Sequence, residues 1–312
     1  MSSVRRPLTV LGASGALALL AACGSGDPLA EPATDDGGAT SAGAGEMVVV
    51  GSQAYYSNEI VAEIYAQALE DAGYDVERQF QIGQRDVYLQ AMEGGEVHVL
   101  PEYTGNLLQF YDAETEVRSS EDVAGALPDA LPEGLEVLAY SEAQDADSYN
   151  VTAEFAETNG ITSLADLADY DGEIIVGGNA ELESRPYGPQ GLADIYGVEV
   201  DFLAIGDSGG PLTKDAIRDG TITMGDIYTA DPDLASGDFV TLEDPESMIL
   251  AQNVVPLVDA ALADDLAGVL DPVSEALTTE DLIELNARSQ GEQLDSATIA
   301  TDWLTENGLA GS

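Results

Sequence analysis

The stretch Gly94–Tyr111, GGEVHVLPEYTGNLLQFY, decides how the rest of this 312-residue chain is interpreted. Valine alternates with other residues in a short strand-like run, which we expect to stop at Pro101. The pentapeptide PEYTG follows, and an apolar, helix-like run comes next. A strand that ends in a turn and opens a helix places that turn at the carboxyl edge of an α/β sheet, where such folds bind ligands. We therefore expect Tyr103 and Asn106 to lie at a binding site.

Short apolar strands alternate with helical segments on both sides of this stretch. The predicted strands are 47–50, 76–80, 97–100, 137–139, 174–176, 200–203, 221–227 and 240–242. Helical patterns separate most of them, and the chain from residue 259 onward is helical. Strands that alternate with helices indicate an α/β fold with a largely parallel sheet.

The amino terminus has the pattern of a targeting segment. Two arginines precede an apolar run at 8–20, which is too short to cross a membrane comfortably. Leu-Ala-Ala-Cys follows, so we interpret residues 1–23 as a lipoprotein signal peptide with a lipobox, in which Cys23 carries the lipid. The alternative is an ordinary secretory signal with a chance cysteine. Residues 24–46 are rich in small and polar residues and are predicted to be a disordered tether.

Composition excludes several classes of function. The chain has 59 acidic and 9 basic residues, which makes nucleic acid a poor partner. Cys23 is the one cysteine, so its lipidation leaves no thiol for a disulfide, a nucleophile or a metal site. No metal or other cofactor is expected. The acidic residues are scattered over helix faces, which is typical of a solvated, salt-adapted surface.

The hexapeptide GDSGGP at 206–211 spells the nucleophile segment of trypsin-like serine proteases. That chemistry requires a histidine base and a buried aspartate around Ser208. The single histidine, His98, lies in a strand-like run, and helical segments surround the hexapeptide. We therefore interpret the match as accidental and the protein as a non-enzyme. The hexapeptide is instead predicted to be a loop in which Pro211 opens a helix.

The segment around PEYTG closely resembles that of glycine betaine/choline/carnitine-binding proteins, the extracytoplasmic receptors of ABC importers. The resemblance extends, with gaps, from about residue 47 to 309. It implies a two-lobed, periplasmic-binding-protein-like (type II) fold with a hinge. Residues 47–148 plus 253–312 would form lobe 1, and residues 149–252 would form lobe 2. It also implies a monomer that binds its ligand in the cleft and delivers it to an ABC permease and ATPase at the membrane.

The same resemblance implies an aromatic cage for a quaternary ammonium group. Tyr103 in PEYTG, Tyr149 in DSYNV and Tyr228 in GDIYTAD match tyrosines of the family. Arg185 in RPYG matches an arginine that would bind a ligand carboxylate through two hydrogen bonds. Three further tyrosines are weaker candidates for ligand contacts: Tyr55, Tyr56 and Tyr187.

Three positions depart from the family pattern. Gln53 stands where a lysine is frequent, Asn106 where a threonine is usual, and Gln252 where an aromatic residue is usual. These amides replace one cationic anchor and one cage wall, which argues against glycine betaine in particular more than against a receptor. The predicted ligand is a small quaternary amine. The alternatives are another small zwitterion or amine on the same scaffold, or a role as a sensor.

Overall fold

The computed structural model describes residues 47–311. The predicted signal peptide, 1–23, and the predicted tether, 24–46, lie outside the described residues. The described strands are β1 (Met47–Gly51), β2 (Asp75–Gln79), β3 (Val99–Tyr103), β4 (Leu135–Val137), β5 (Tyr149–Thr152), β6 (Ile175–Gly178), β7 (Asp201–Ala204), β8 (Met224–Asp226), β9 (Phe239–Thr241) and β10 (Val254–Asp259).

Helices connect most of these strands and cover the carboxyl-terminal part of the described chain. They are α1 (Tyr56–Asp71), α2 (Arg85–Glu93), α3 (Thr104–Tyr111), α4 (Ser120–Ala130), α5 (Ala153–Asn159), α6 (Pro189–Gly191), α7 (Pro211–Arg218), α8 (Ala263–Ala276), α9 (Thr279–Glu292) and α10 (Ser296–Glu306). Shorter 3₁₀ turns span Leu164–Asp169, Ala180–Ser184 and Pro232–Ser236, and a π turn spans Leu192–Tyr196. Over residues 47–311, no helix has both the length and the apolar character needed to cross a bilayer.

The strands form two five-stranded sheets with the same arrangement. The first has the order β2-β1-β3-β10-β4, and the second has the order β7-β6-β8-β5-β9. In each sheet one strand, β10 or β5, runs antiparallel to its two neighbours, and the other pairings are parallel. That strand is the one by which the chain arrives from the other sheet. The α/β, two-lobed architecture predicted from the sequence is therefore confirmed. The expectation of a largely parallel sheet is wrong, because β5 and β10 were not predicted and all four of their pairings are antiparallel.

Strand β3 continues two residues beyond the point where the sequence predicts its end. It pairs with β10 so that Pro101 lies opposite Pro256. At the end of this ladder, Thr104 N donates to Asn253 O at 3.0 Å. Hydrogen-bonded and non-hydrogen-bonded pairs alternate along an antiparallel ladder, so the two prolines fall on a non-hydrogen-bonded pair. No N–H is required there, and the prediction that the strand stops at Pro101 is wrong for this reason.

Both faces of the first sheet are covered by helices. On one face, α1 is buried against the sheet and against α8, α9 and α10, with Ile60 and Ile64 almost completely shielded from solvent. On the other face, α2, α3 and α4 pack around Leu100 and Leu107. A separate apolar cluster that includes Val176 fills the second sheet's half. Apolar clusters therefore pack against both sheets, and the loops at the ends of their strands meet at a cleft.

Candidate functional site

A cavity lies between the two sheets. Most of its lining residues come directly after the carboxyl ends of parallel strands, where α/β folds gather binding groups. They are Gln53, Ala54 and Tyr55 after β1, Gln84 and Arg85 after β2, Tyr103 and Asn106 at the end of β3, Glu181 and Tyr187 after β6, Ser208 after β7 and Tyr228 after β8. Asp145 and Asp147 come from the chain that crosses between the sheets. Of the seven predicted ligand-binding residues, Gln53, Tyr103, Asn106 and Tyr228 therefore lie together.

Three tyrosines form a continuous aromatic wall across the cavity. The ring of Tyr55 stacks on that of Tyr103 with centroids 6.4 Å apart, and it meets the ring of Tyr228 at 5.3 Å with a tilt of 59°. Tyr55 thus connects the predicted cage residues of the two sheets. The Tyr103 side chain is 3% exposed, and its hydroxyl has no hydrogen-bond partner among the described residues.

A buried ion pair holds Tyr103 in place. Glu102 is fully buried and accepts hydrogen bonds from Arg85 Nε (2.8 Å), Arg85 Nη2 (3.1 Å) and the Tyr88 hydroxyl (2.6 Å). The same carboxylate accepts from Tyr103 N at 2.8 Å. Because four donors converge on one buried carboxylate, the backbone at the end of β3 is held in place next to the cavity.

Two aspartates from the crossing chain add negative charge to the cavity. Asp145 accepts from Ala230 N (2.9 Å) and from Ser57 Oγ (3.3 Å), so it joins both halves of the molecule. Burial, assisted by the charges of nearby aspartates, raises the pKa of Asp145 to about 7. Asp147 accepts from the Tyr187 hydroxyl at 2.9 Å and from Asn106 Nδ2, in α3, at 2.8 Å. The aromatic wall therefore stands beside carboxylates.

Asn106 and Gln252 form a second link between the cavity and the crossing chain. Gln252 Oε1 accepts from Asn106 N at 2.9 Å, and Gln252 Nε2 donates to Asn106 Oδ1 at 3.0 Å. Gln252 is fully buried and stands behind Asn106, apart from the cavity lining. The fit is so close that a Cβ atom at Gly105 would come within 2.7 Å of Gln252 Nε2. This close approach explains the glycine of PEYTG.

The structure places the other two predicted residues next to the cavity instead of in its lining. Arg185 lines a smaller adjoining pocket, where its guanidinium pairs with Glu181 at 2.9 Å. Tyr149 is buried, and its hydroxyl donates to the backbone oxygen of Tyr187 at 2.6 Å. In this arrangement Arg185 is already bound to a carboxylate, and Tyr149 supports a lining tyrosine. The weaker candidate Tyr56 is not among the lining residues either.

Ser208 lines the cavity and is hydrogen-bonded to Asn179. Its hydroxyl accepts from Asn179 Nδ2 at 3.1 Å, and its N–H donates to Asn179 Oδ1 at 3.2 Å. The chain's single histidine, His98, accepts through Nδ1 from Val49 N in the first sheet. The hydrogen bonds of Ser208 and His98 are therefore made to Asn179 and Val49, and not to each other. Within residues 47–311 there is also no cluster of three histidine, cysteine, aspartate or glutamate residues that could hold a metal ion.

Sequence reasoning missed the charged residues of the site, and one of them carried a usable signal. Arg85 is the first residue of α2, where the helix dipole disfavours a cation, so its position calls for a buried anion nearby. Asp145, Asp147 and Glu181 carried no such signal, because acidic residues occur throughout this chain.

Comparisons with known proteins agree with this architecture. The family described as "Substrate binding domain of ABC-type glycine betaine transport system" matches residues 46–306. The chain is 27% identical to the glycine betaine-binding protein YehZ of Escherichia coli (strain K12), over 85% of this chain and 92% of that protein. The solved structure of apo YehZ from Escherichia coli is 28% identical, with a TM-score of 0.59 over 85% of this chain and 99% of that one.

A second solved structure is similar in fold. The crystal structure of a glycine betaine/carnitine/choline ABC transporter protein has a TM-score of 0.68 with this chain, at 16% identity. The similarity covers 84% of this chain and 99% of the other.

Proposed function

Since the chain belongs to the family of substrate-binding domains of ABC-type glycine betaine transport systems, we propose that it captures a small quaternary amine in the cavity between its two sheets. The observation that carries this proposal is the aromatic wall formed by Tyr55, Tyr103 and Tyr228. A quaternary ammonium group has no N–H to donate, so hydrogen bonds cannot select it. Its charge is attracted to the faces of aromatic rings, each contributing about 0.5–2 kcal/mol depending on desolvation.

The aromatic side chains of the cavity come from both halves of the molecule, which supports closure driven by the ligand. Tyr103 belongs to the first sheet and Tyr228 follows a strand of the second, so neither half holds a complete site. A ligand that contacts both halves stabilises the closed arrangement over an open one by its differential affinity. Hinge bending of this kind is the usual transition in two-lobed binding proteins. In the proposed cycle, the lobes 47–148 plus 253–312 and 149–252 close over the solute before the permease receives it.

The aromatic wall is tested by removing its two outer members separately. We expect Tyr103→Ala and Tyr228→Ala each to weaken binding of a quaternary amine at least about tenfold, which corresponds to about 1.4 kcal/mol. Isothermal calorimetry with choline and glycine betaine measures the change. Tyr140→Ala is the matched control, because Tyr140 is 39% exposed and lies outside the cavity lining. Parent-like affinity in both cage variants would show that the ligand does not use this wall.

We also propose that the protein is a monomeric lipoprotein on the outer face of the cell membrane, beside its ABC permease and ATPase. The lipid anchor rests on the lipobox ending at Cys23, since diacylated anchors hold a protein stably at a bilayer, and the permease partner rests on the family. Cys23→Ser is expected to move the protein from the membrane fraction to the soluble fraction. Immunoblotting of salt-washed membranes measures this, and a variant retained in the pellet would contradict the lipid anchor.

A further inference from the structure

The cavity holds two carboxylates that are not neutralised by ion pairing within the described chain. Asp145 is 6% exposed and accepts hydrogen bonds from neutral donors, Ser57 Oγ and Ala230 N. Asp147 likewise accepts from a side-chain amide and a phenol. Among residues 47–311, the ion pairs within 4.0 Å include neither aspartate.

Each cation near the cavity already has its own counter-ion. Arg85 gives Nε and Nη2 to Glu102, and Arg185 gives Nη2 to Glu181. The buried Asp226 lines a small adjoining pocket together with Asp147, and its pKa is raised well above its usual range by burial and by the charge of Asp147. Asp226 therefore retains its proton more readily than an ordinary carboxyl group. Above the Asp145 pKa of about 7, the charge left without compensation among the described lining residues is that of Asp145 and Asp147.

We infer that the cavity selects an organic monocation such as choline over a zwitterion such as glycine betaine. This inference rests on the proposed function, since it concerns the ligand of the same site. The buried hydroxyl of Tyr103 lines the cavity without a hydrogen-bond partner among the described residues, and it can donate to an oxygen of either ligand, so this contact does not distinguish them.

The two ligands share a trimethylammonium group, so their contacts with the aromatic wall cancel in the comparison. They differ at the other end, where choline carries a hydroxyl and glycine betaine carries a carboxylate. In this cavity, whose lining includes the buried Tyr103 and Asp145, the betaine carboxylate would face Asp145 and Asp147 without an unpaired cation among the described lining residues to bind it. Gln53 lines this space and supplies an amide in place of positive charge. Choline, by contrast, brings one positive charge into a cavity that carries excess negative charge.

The test compares three probes by calorimetry at about pH 8, above the pKa of about 7 of Asp145. The probes are choline, glycine betaine and 3,3-dimethylbutanol, which is the neutral carbon isostere of choline. We expect choline to bind at least about tenfold more tightly than glycine betaine, and the neutral alcohol to bind far more weakly than choline. Glycine betaine binding as tightly as choline would overturn the inference and leave the proposed function standing. Failure of both quaternary amines to bind would overturn the two together.

The source of the selectivity is tested by Asp147→Asn. This substitution retains an oxygen acceptor for Tyr187 and removes the charge. We expect it to weaken choline binding at least about tenfold and to reduce the choline-to-betaine ratio by a similar factor. Asp129→Asn is the control for overall charge, because Asp129 is exposed on α4. An equal loss for both ligands in Asp147→Asn would overturn the inference.

Discussion

Replacement of Glu102 by glutamine is expected to lower the free energy of unfolding by about 3–5 kcal/mol, because it leaves a buried guanidinium without its counter-ion. Glu102 is 0% exposed and the Arg85 side chain is 5% exposed, so water cannot solvate the guanidinium once its counter-ion is removed. Glutamine has nearly the same shape and can still accept from the Tyr88 hydroxyl or Tyr103 N. The substitution therefore isolates the charge of the ion pair from its packing.

Urea denaturation followed by circular dichroism measures this difference. The control is Glu70→Gln, which breaks the pair between Glu70 and Arg78, whose side chains are 42% and 31% exposed. Exposed pairs contribute about 0–1 kcal/mol, so the control should lose little. The double variant Arg85→Met/Glu102→Leu should recover much of the loss, because two apolar side chains need no charge compensation. A Glu102→Gln variant as stable as the control would refute the account of this pair.

The PEYTG motif illustrates how much of the site could be predicted from sequence. Its placement at the carboxyl end of a strand before a helix follows from local pattern, and so does the position of Tyr103 at the ligand-binding edge. The roles of its other residues could not be predicted in this way. Pro101 is tolerated because it meets Pro256, Glu102 is required by Arg85, and Gly105 is required by the chain that passes at Gln252. Each of these reasons lies in a residue distant along the chain.

The charged residues of the cavity could not be predicted from the sequence, for a different physical reason. Burial decides whether a carboxylate matters to a site, and burial depends on tertiary packing. The chain has 59 acidic residues, and nothing in the sequence distinguishes Asp145 and Asp147 from the others. Their position in the cavity between the two sheets distinguishes them. The same packing leaves Arg185 paired with Glu181, although its motif predicts a ligand contact. The architecture follows from pattern, whereas the electrostatics of the site do not.

The pH dependence of stability is the second large effect, and it centres on Asp145. The pKa of this carboxyl group is about 7 in the folded protein, compared with an ordinary value of 3.8. Burial is the main cause, and the charges of Asp147 and Asp231 add to it, whereas hydrogen bonds from Ala230 N and Ser57 oppose it. Between about pH 4 and pH 7 the folded protein therefore holds a proton that the unfolded chain has released.

The sign of the effect follows from this difference in bound protons. Stability falls as the pH rises whenever the folded state binds more protons than the unfolded state. A pKa difference of about three pH units corresponds to about 4 kcal/mol, which the Asp145 charge removes from the stability of the ligand-free protein by about pH 8. Asp145→Asn keeps an acceptor for Ala230 N and cannot titrate. Its stability relative to the parent should therefore increase from about pH 4 to pH 7 and then level off.

Urea denaturation of parent and variant across this range measures the relative stability. The other carboxylates titrate in both proteins, so their contributions cancel in the difference in stability. For the control Asp129→Asn, on the exposed face of α4, that difference should hardly change with pH. A difference for Asp145→Asn that does not change with pH would mean that Asp145 titrates normally. Saturating choline provides a further check, because a bound cation favours the charged form of Asp145. The ligand should therefore flatten the pH dependence of the parent, and it should leave the Asp145→Asn profile unchanged in shape.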